Sequence, residues 1–334
     1  MSAGAMPWEP CSPSRDYRCQ KRCKMSSFAF YQAVRDRLPV WLLEEMRTTE
    51  VLHWEESGRA SAYSPSEALL YALVHDHRRY GQYLLREHPG EALAWPGGSF
   101  SVCGCSGGPG PGSGPRGPGP HLALAVRYNR VGALALLLRS AGPERVRLLN
   151  GRGSCGGGVG AGAGGGGDVS GGGYGGCCGC DGARGKLPLH VAAELARAEC
   201  AALLLANGCS PLLTDGQGRT PLDTLLAQLR HRRPNTPQPH LACLHTLLLF
   251  MPRPHFHMQA ELRADGALWR RLLPHDVYEW LSGRSPPSLF MRAMQTVMAA
   301  IAPERFPEAL DELPISHLLT HLDFKQAAPS DCKW

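Results

Sequence analysis

Apolar residues recur at helical spacing, three or four positions apart, along most of the 334-residue chain. The first stretch predicts two short helices separated by Pro39. Its apolar positions are Phe30, Ala33, Val34, Leu38, Trp41, Leu42 and Met46. A second stretch, 64–87, opens with Ser64-Pro65, which suits a helix N-terminus, and a break near residues 77–81 predicts two antiparallel helices. No long alternation of apolar and polar residues is present, so we expect an all-α fold.

Glycine divides the chain, because 19 of the 40 glycines lie in residues 151–185 and another 10 lie in residues 97–119. Neither tract has the side chains to bury a core, so we interpret them as a loop insert and a linker. Three prolines at 234–239 indicate a further linker. The predicted organisation is a disordered tail at 1–26, N-terminal helices with a degenerate first repeat at 27–95, a linker at 96–119, repeats at 120–229 interrupted by the insert 151–185, a linker at 230–240, a helical connector at 241–285, a C-terminal module at 286–322 and a tail at 323–334.

The charge and the apolar runs limit the function classes. The net charge of +6 includes two short basic clusters, 18–24 and 230–233, which lack interleaved aromatic residues and are typical of solvated surface. We therefore expect no nucleic-acid partner. No apolar run approaches the roughly 18 residues that span a bilayer, and the N-terminus lacks the apolar stretch of a signal peptide. We expect a soluble, cytosolic protein without a transmembrane segment.

The 13 cysteines indicate free thiols, because the count is odd, the chain is long and no export signal is visible. Cys177, Cys178 and Cys180 lie in the glycine tract, and Cys19 and Cys23 lie in the basic N-terminal tail. Neither group has the four ligands that a zinc site needs. The glycine tract also lacks the preceding strand of a phosphate-binding loop. We predict no catalytic residue, no cofactor and no metal, and hence a non-enzymatic protein.

A repeat is visible in residues 187–215, followed by the start of another copy at Thr220, which is 33 residues after Leu187. The opening matches at Pro188, Leu189, His190, Ala192 and Ala193, and the second half matches at Leu203, Leu204, Leu205 and Gly208. This pattern resembles the ankyrin repeat, and the period is the ankyrin period. The resemblance implies a solenoid of helix pairs whose surface binds proteins. His190 is expected to stabilise the turn rather than to bind a metal.

Two weaker copies precede this repeat. Residues 120–142 match the template more loosely, with Ala123 in the histidine position, and residues 64–87 form a degenerate first repeat that caps the stack. The copy at 120–142 begins 67 residues before Leu187, which exceeds one 33-residue repeat by 34 residues. We assign those residues to a loop insertion, since glycine disfavours packed helices.

The C-terminal residues 286–322 resemble a suppressor-of-cytokine-signalling (SOCS) box, a three-helix module. Ser288, Leu289, Ala293 and Val297 occupy the positions of its first motif. The last three are four residues apart and therefore lie along one ridge of a helix. The resemblance implies that Leu289, Ala293 and Val297 bind elongin C of the elongin B/C pair, although Ala293 replaces the usual cysteine.

The second SOCS-box motif selects the cullin scaffold. Leu313, Pro314 and Ile315 agree with a cullin-5-type box, whereas Ser316 departs from it and leaves the choice of cullin open.

Longer phrases at 27–41, 63–77, 125–131 and 305–314 resemble a family that joins ankyrin repeats to a C-terminal SOCS box. The resemblance implies a substrate-recognition subunit of a cullin–RING ubiquitin ligase, and it implies inosine monophosphate dehydrogenase as a client. Neither conclusion follows from periodicity. The alternative interpretation is an ankyrin-repeat scaffold that binds partners without recruiting a ligase.

Overall fold

The computed structural model describes residues 29–49, 63–94, 120–142, 145–150, 186–231, 238–306 and 308–312. Regular structure in these ranges is helical, which confirms the all-α prediction for them. The helices are α1 (29–35), α2 (Val40–Thr49), α3 (Pro65–Val74), α4 (Arg78–Glu87), α5 (Pro89–Ala92), α6 (Pro120–Arg127), α7 (Val131–Ser140), α8 (Arg145–Asn150), α9 (Pro188–Glu194), α10 (Ala198–Ala206), α11 (Pro221–His231), α12 (Gln238–Leu249), α13 (Gln259–Ala264), α14 (Gly266–Leu272), α15 (His275–Leu281), α16 (Leu289–Ala300) and α17 (Glu308–Asp311), with a 3₁₀ turn at Pro303–Arg305.

The helices stack in two rows, as expected for an ankyrin solenoid. The inner row consists of α3, α6, α9 and α11, and each of these helices packs on the next one in the row. The outer row runs α4, α7, α10, α12 in the same order. Helix α2 packs against α4 and so extends the outer row by one helix at the N-terminal end.

The turn inside each of the first four pairs has one repeated geometry. A residue with positive φ follows the first helix, and the next N–H donates to a carbonyl five residues earlier, over 2.8–3.1 Å. The positive-φ residues are Arg37, Asp76, Asn129 and Ala196, with φ of 56°, 53°, 53° and 53°. The helices at 29–49, which the sequence predicts as N-terminal helices before the first repeat, therefore contain the same turn as the repeats that follow them.

Helix ends in the stack follow local sequence rules. Ser64 caps α3 by accepting from the Glu67 N–H, and the Glu67 side chain accepts from the Ser64 N–H at 2.8 Å, a reciprocal capping box. Gly208 follows α10 with φ of +93°, a conformation that a side chain would strain. A Cβ there would also lie 3.0 Å from Val146 of α8, so this glycine permits close packing of α8 against the end of α10.

The position of α12 differs from the organisation drawn from the prolines. This helix begins at Gln238, inside the predicted linker 230–240, and packs against α10 and α11 as the outer helix of the last pair. Thr246 and Leu247 are fully buried in that contact. Pro239 therefore lies in the first turn of α12, and the stack continues beyond residue 240. The tail 1–26 and the glycine tracts lie outside the described residues.

The C-terminal helices cover the end and the outer row of the stack. Helix α14, which carries the fully buried Trp269, packs against α13 and α15, and α16 packs against α12. Beyond α16, the ring of Phe306 lies 6.4 Å from that of Phe250, and Arg139 of α7 donates to Glu308 of α17. The chain after α16 thus turns back along the outer helices. Among the described residues, no helix is long and apolar enough to cross a membrane.

Candidate protein-interaction site

Helix α16 starts where the sequence predicts. Pro286 and Pro287 prevent a helix from extending backwards, and Ser288 adopts an extended conformation with φ −60° and ψ 154°. The Ser288 hydroxyl accepts a hydrogen bond from the Met291 N–H at 3.2 Å, which satisfies one of the free amides at the helix N-terminus. Leu289 is therefore the first helical residue.

One face of α16 is fixed to the stack. Met294 and Met298 are buried there, together with Gln295. The Gln295 side-chain amide donates to the Leu248 carbonyl at 2.8 Å and to the Met251 carbonyl at 3.4 Å. Leu248 lies in the last turn of α12 and Met251 just after it, and the Leu248 carbonyl also accepts from the Met251 N–H at 3.2 Å. A polar side chain thus sets the position of α16 on α12.

The opposite face of α16 carries apolar side chains that the described residues leave largely exposed. Leu289 is 90% exposed and the adjacent Phe290 is 51% exposed. Ala293, one turn after Leu289, is also exposed, while Val297 is half-buried. The helical wheel places Leu289 and Ala293 on the same side and Val297 toward Phe290. We call Leu289, Phe290, Ala293 and Val297 the outer ridge of α16.

The structure locates part of the predicted site. The three residues assigned to elongin C by resemblance lie together on the outer ridge, in helical register. Sequence reasoning did not include Phe290, whose only signal is an apolar residue next to Leu289 at the start of a helix. The residues assigned to the cullin, Leu313, Pro314 and Ile315, lie outside the described residues, as does Ser316.

A second candidate surface lies along the inner helices and the loop between α10 and α11. His190 of α9 faces the Arg219 carbonyl across 2.9 Å, so it joins the loop to the preceding repeat, as expected for a structural histidine. Burial lowers the pKa of His190, which favours its neutral form. Asp215 shapes the loop by accepting from the N–H groups of Gln217 and Arg219 at 2.8 and 2.9 Å. Leu212 in this loop is 50% exposed.

A buried carboxylate fixes the far end of that loop. Asp223 is 1% exposed and accepts from the Thr220 N–H and hydroxyl at 2.9 and 2.8 Å. It also accepts from the N–H groups of His257 and Met258 at 2.7 and 3.0 Å. Burial alone raises a carboxyl pKa, but these hydrogen bonds outweigh it and hold the pKa of Asp223 below its usual value. The ionised group joins α11 to the segment before α13.

The described thiols are suited to packing. Cys200, Cys209 and Cys243 are free and buried, and burial raises the pKa of each to about 12. They therefore stay protonated near neutral pH, whereas a nucleophile or metal ligand acts as thiolate. Within the described ranges, no three histidine, cysteine or acidic side chains are grouped closely enough to hold a metal ion. The cysteine-rich tract at 177–180 and Cys19 and Cys23 lie outside those ranges.

A search of curated proteins identifies a full-length relative. The chain is 46% identical to mouse ankyrin repeat domain-containing protein 9 over 335 aligned positions, which cover 92% of this chain and 91% of the mouse protein. The chain belongs to the ankyrin repeat domain-containing protein 9 family. No protein-family model matches the chain. Membership in this family and the stacked helix pairs together show a repeat protein whose role is protein interaction.

Proposed function

We propose that the protein is a substrate-recognition subunit of a cullin–RING ubiquitin ligase. The repeat stack binds a client protein, the outer ridge of α16 binds elongin C with elongin B, and a cullin-5-type scaffold binds at Leu313, Pro314 and Ile315. The client is then ubiquitinated and degraded. Inosine monophosphate dehydrogenase is the client that the family resemblance implies, and the cytosol is the expected location.

The observation that supports this proposal best is the exposure of Leu289. Leu289 is 90% exposed on the first turn of a well-packed helix, so the described part of the chain leaves this apolar side chain uncovered. Burial of a leucine side chain from water contributes about 1.5–3 kcal/mol, which is available to a partner with an apolar pocket. Ala293, one turn later, lets the surface of such a partner approach the helix backbone.

The attachment of α16 supports the same function. Because Met294, Gln295 and Met298 hold the helix to α12, the outer ridge has a fixed orientation relative to the repeats. A rigid link between client surface and ligase surface is what positions a bound client for ubiquitin transfer. The same packing means that removal of α16 would expose α12, so point variants are the appropriate test.

The decisive experiment compares two exposed leucines. Full-length protein with Leu289→Asp should no longer co-purify elongin C, since the carboxylate would have to enter an apolar pocket. Leu212→Asp, on the loop between α10 and α11, should co-purify elongin C at the wild-type level. Both leucines are at least half exposed, so neither change should unfold the chain. Elongin C at wild-type levels on Leu289→Asp would exclude the proposed site.

Client turnover then separates the ligase from the scaffold alternative. With a ligase, wild-type protein shortens the half-life of the client in cells, and Leu289→Asp lengthens it while the client still binds. A scaffold would give equal client half-lives with both proteins. Binding and turnover of inosine monophosphate dehydrogenase, measured in the same cells, test that client assignment separately.

A further inference from the structure

The turns between paired helices form one continuous edge of the stack. The ring of Tyr31 in the first pair lies 4.6 Å from that of His75 in the second. Arg130 in the third pair donates to the Val74 carbonyl, and the Cys200 thiol of the fourth contacts the Asn129 side chain at 3.6 Å. Four successive turns are therefore in contact along this edge.

The edge is rich in arginine, and part of that charge is unpaired. Its arginines are Arg35, Arg37, Arg78, Arg79, Arg127, Arg130 and Arg197. Three of its acidic residues are engaged locally, since Asp36 pairs with Arg35, Asp76 with Arg78 and Glu194 with Lys186, over 3.1, 3.3 and 2.8 Å. A fourth, Glu199, lies in the first turn of α10 near Arg197. Arg37, Arg79 and Arg127 are exposed and have no carboxylate partner in the described part of the chain. We call Arg37, Arg79, Arg127, Arg130 and Arg197 the basic edge.

Two histidines beneath the edge show how closely the arginines lie. Burial, together with Arg130 and Arg35 from the neighbouring pairs, lowers the pKa of His75 to about 4. Burial also lowers the pKa of His77, again with a contribution from Arg37 and Arg79. The histidines are therefore neutral near pH 7, and the positive charge comes from arginines on adjacent turns.

We propose that the basic edge binds an extended, acidic segment of a partner protein with a carboxylate at about every third residue. Packed helices lie roughly 8–10 Å apart, and an extended chain rises about 3.3 Å per residue, so three residues span one pair. Arginine matches this ligand, because its planar guanidinium can form two hydrogen bonds to one carboxylate. The half-buried rings of Tyr31 and Tyr128 offer apolar contact between the charges.

The arrangement of charge favours a peptide over nucleic acid. Asp36 and Asp76 lie on the same edge and interrupt the positive surface. An unbroken row of phosphates would meet both carboxylates, whereas a peptide can place neutral residues there. This inference does not depend on the ligase function, because the basic edge and the outer ridge of α16 share no residue.

Fluorescence anisotropy with the full-length chain tests the proposal. The probe is a fluorescein-labelled ten-residue peptide of serine and glutamate, with glutamate at positions 1, 4, 7 and 10. A composition-matched isomer carries its four glutamates consecutively. We expect the spaced peptide to bind at least about threefold more tightly than the isomer, because it reaches arginines on successive turns.

The double variant Arg79→Gln with Arg127→Gln should weaken binding of the spaced peptide by about threefold to tenfold, as expected for loss of two exposed ion pairs. Arg271→Gln, which removes an exposed arginine of α14, is the matched control and should leave the affinity unchanged. Equal binding of both peptides, equal weakening in the control, or no binding would overturn the proposal. Tighter binding of a DNA duplex of about 20 base pairs, lost in the double variant, would assign the edge to nucleic acid instead.

Discussion

Helices α10 and α16 are both rich in apolar residues but lie in opposite environments. Alanine and leucine predominate in α10, and alanine and methionine predominate in α16. Helix α10 lies between α9, α7 and α12, so Cys200 to Leu205 are all buried. Helix α16 has α12 on one side, and Leu289 on the other side is almost fully exposed.

The difference shows how to interpret an apolar helix. In α10 the apolar surface is covered by the repeats of the same chain, and its contribution is stability. In α16 half of the apolar surface has no cover among the described residues, and an exposed apolar patch on a folded chain indicates a binding surface. Mutations that remove the same atoms from the two helices should therefore affect different measurements.

Leu204→Ala should have the largest effect on stability. Leu204 is fully buried in α10, so the substitution leaves a cavity and should lower the free energy of unfolding by about 2–5 kcal/mol. The matched control is Leu289→Ala in α16, which removes the same atoms from an exposed site. This variant should change the free energy of unfolding by less than about 0.5 kcal/mol. Urea denaturation followed by circular dichroism measures both. A similar loss in the two variants would contradict the assignment of Leu289 to a partner.

Lowering the pH should reduce the stability of the repeat stack but should not change the charge of α16. His121 is buried beside Ser66, and burial lowers its pKa to about 4, below the unfolded value of about 6.5. A folded pKa below the unfolded one means that stability is lost as pH falls, here from about 6.5 to 4. For His121 the expected loss between pH 7 and 4.5 is about 2 kcal/mol.

The variant His121→Gln isolates this contribution. Glutamine can still donate to the Ser66 carbonyl, so the variant should fold at pH 7, with a flatter dependence of stability on pH than the wild type. Thermal melts between pH 7 and 4.5 measure the difference. Since α16 contains no histidine or carboxyl group, a pH-dependent change in its binding without a change in stability would argue against this separation.

Gln295→Ala should detach α16 from the stack in part. The substitution removes one of two hydrogen bonds to the Leu248 carbonyl, which still accepts from the Met251 N–H, and a longer hydrogen bond to the Met251 carbonyl, at a cost of about 1–3 kcal/mol. Thr296→Ala is the control, because Thr296 is exposed and its hydroxyl bonds only within its own helix in the described chain. Hydrogen exchange of α16 amides should increase in Gln295→Ala but not in the control. Equal exchange in both would show that the methionines alone hold α16.

The sequence predicts the repeats well because their positions have local causes. Pro188, the small Ala192 and Ala193 and the leucines of α10 predict a helix pair, and Ser64 and Ser288 predict helix starts that the structure shows. The left-handed conformation at Arg37, Asp76 and Asn129 was not predicted, since positive φ carries a clear signal only at glycine. The prolines at 234–239 predicted a boundary that tertiary packing of α12 against α10 overrides.

The sequence predicted which residues of α16 lie on one ridge, but not that this ridge is exposed. Leu289, Ala293 and Val297 share a ridge by their spacing, but the sequence does not say which face of an apolar helix is buried. That choice depends on Gln295, whose amide bonds to α12, and on Met294 and Met298, which fill the contact. These contacts join residues more than forty positions apart, so no local pattern reveals them.

The smallest expected effect concerns the one position where the outer ridge departs from the SOCS-box pattern. Ala293→Cys restores the usual cysteine and adds one thiol to an exposed site, so the free energy of unfolding should not change measurably. If elongin C covers the ridge, that thiol becomes buried, and a gain of about 1 kcal/mol, or roughly fivefold in affinity, is expected.

Ala299→Cys adds the same thiol to an exposed position on the side of α16 and should leave the affinity unchanged. Titration calorimetry with purified elongin B/C under reducing conditions distinguishes the two variants. Weaker binding by Ala293→Cys would mean that the partner contacts the helix backbone at Ala293 too closely for a thiol, and that α16 is used differently from the first helix of a SOCS box.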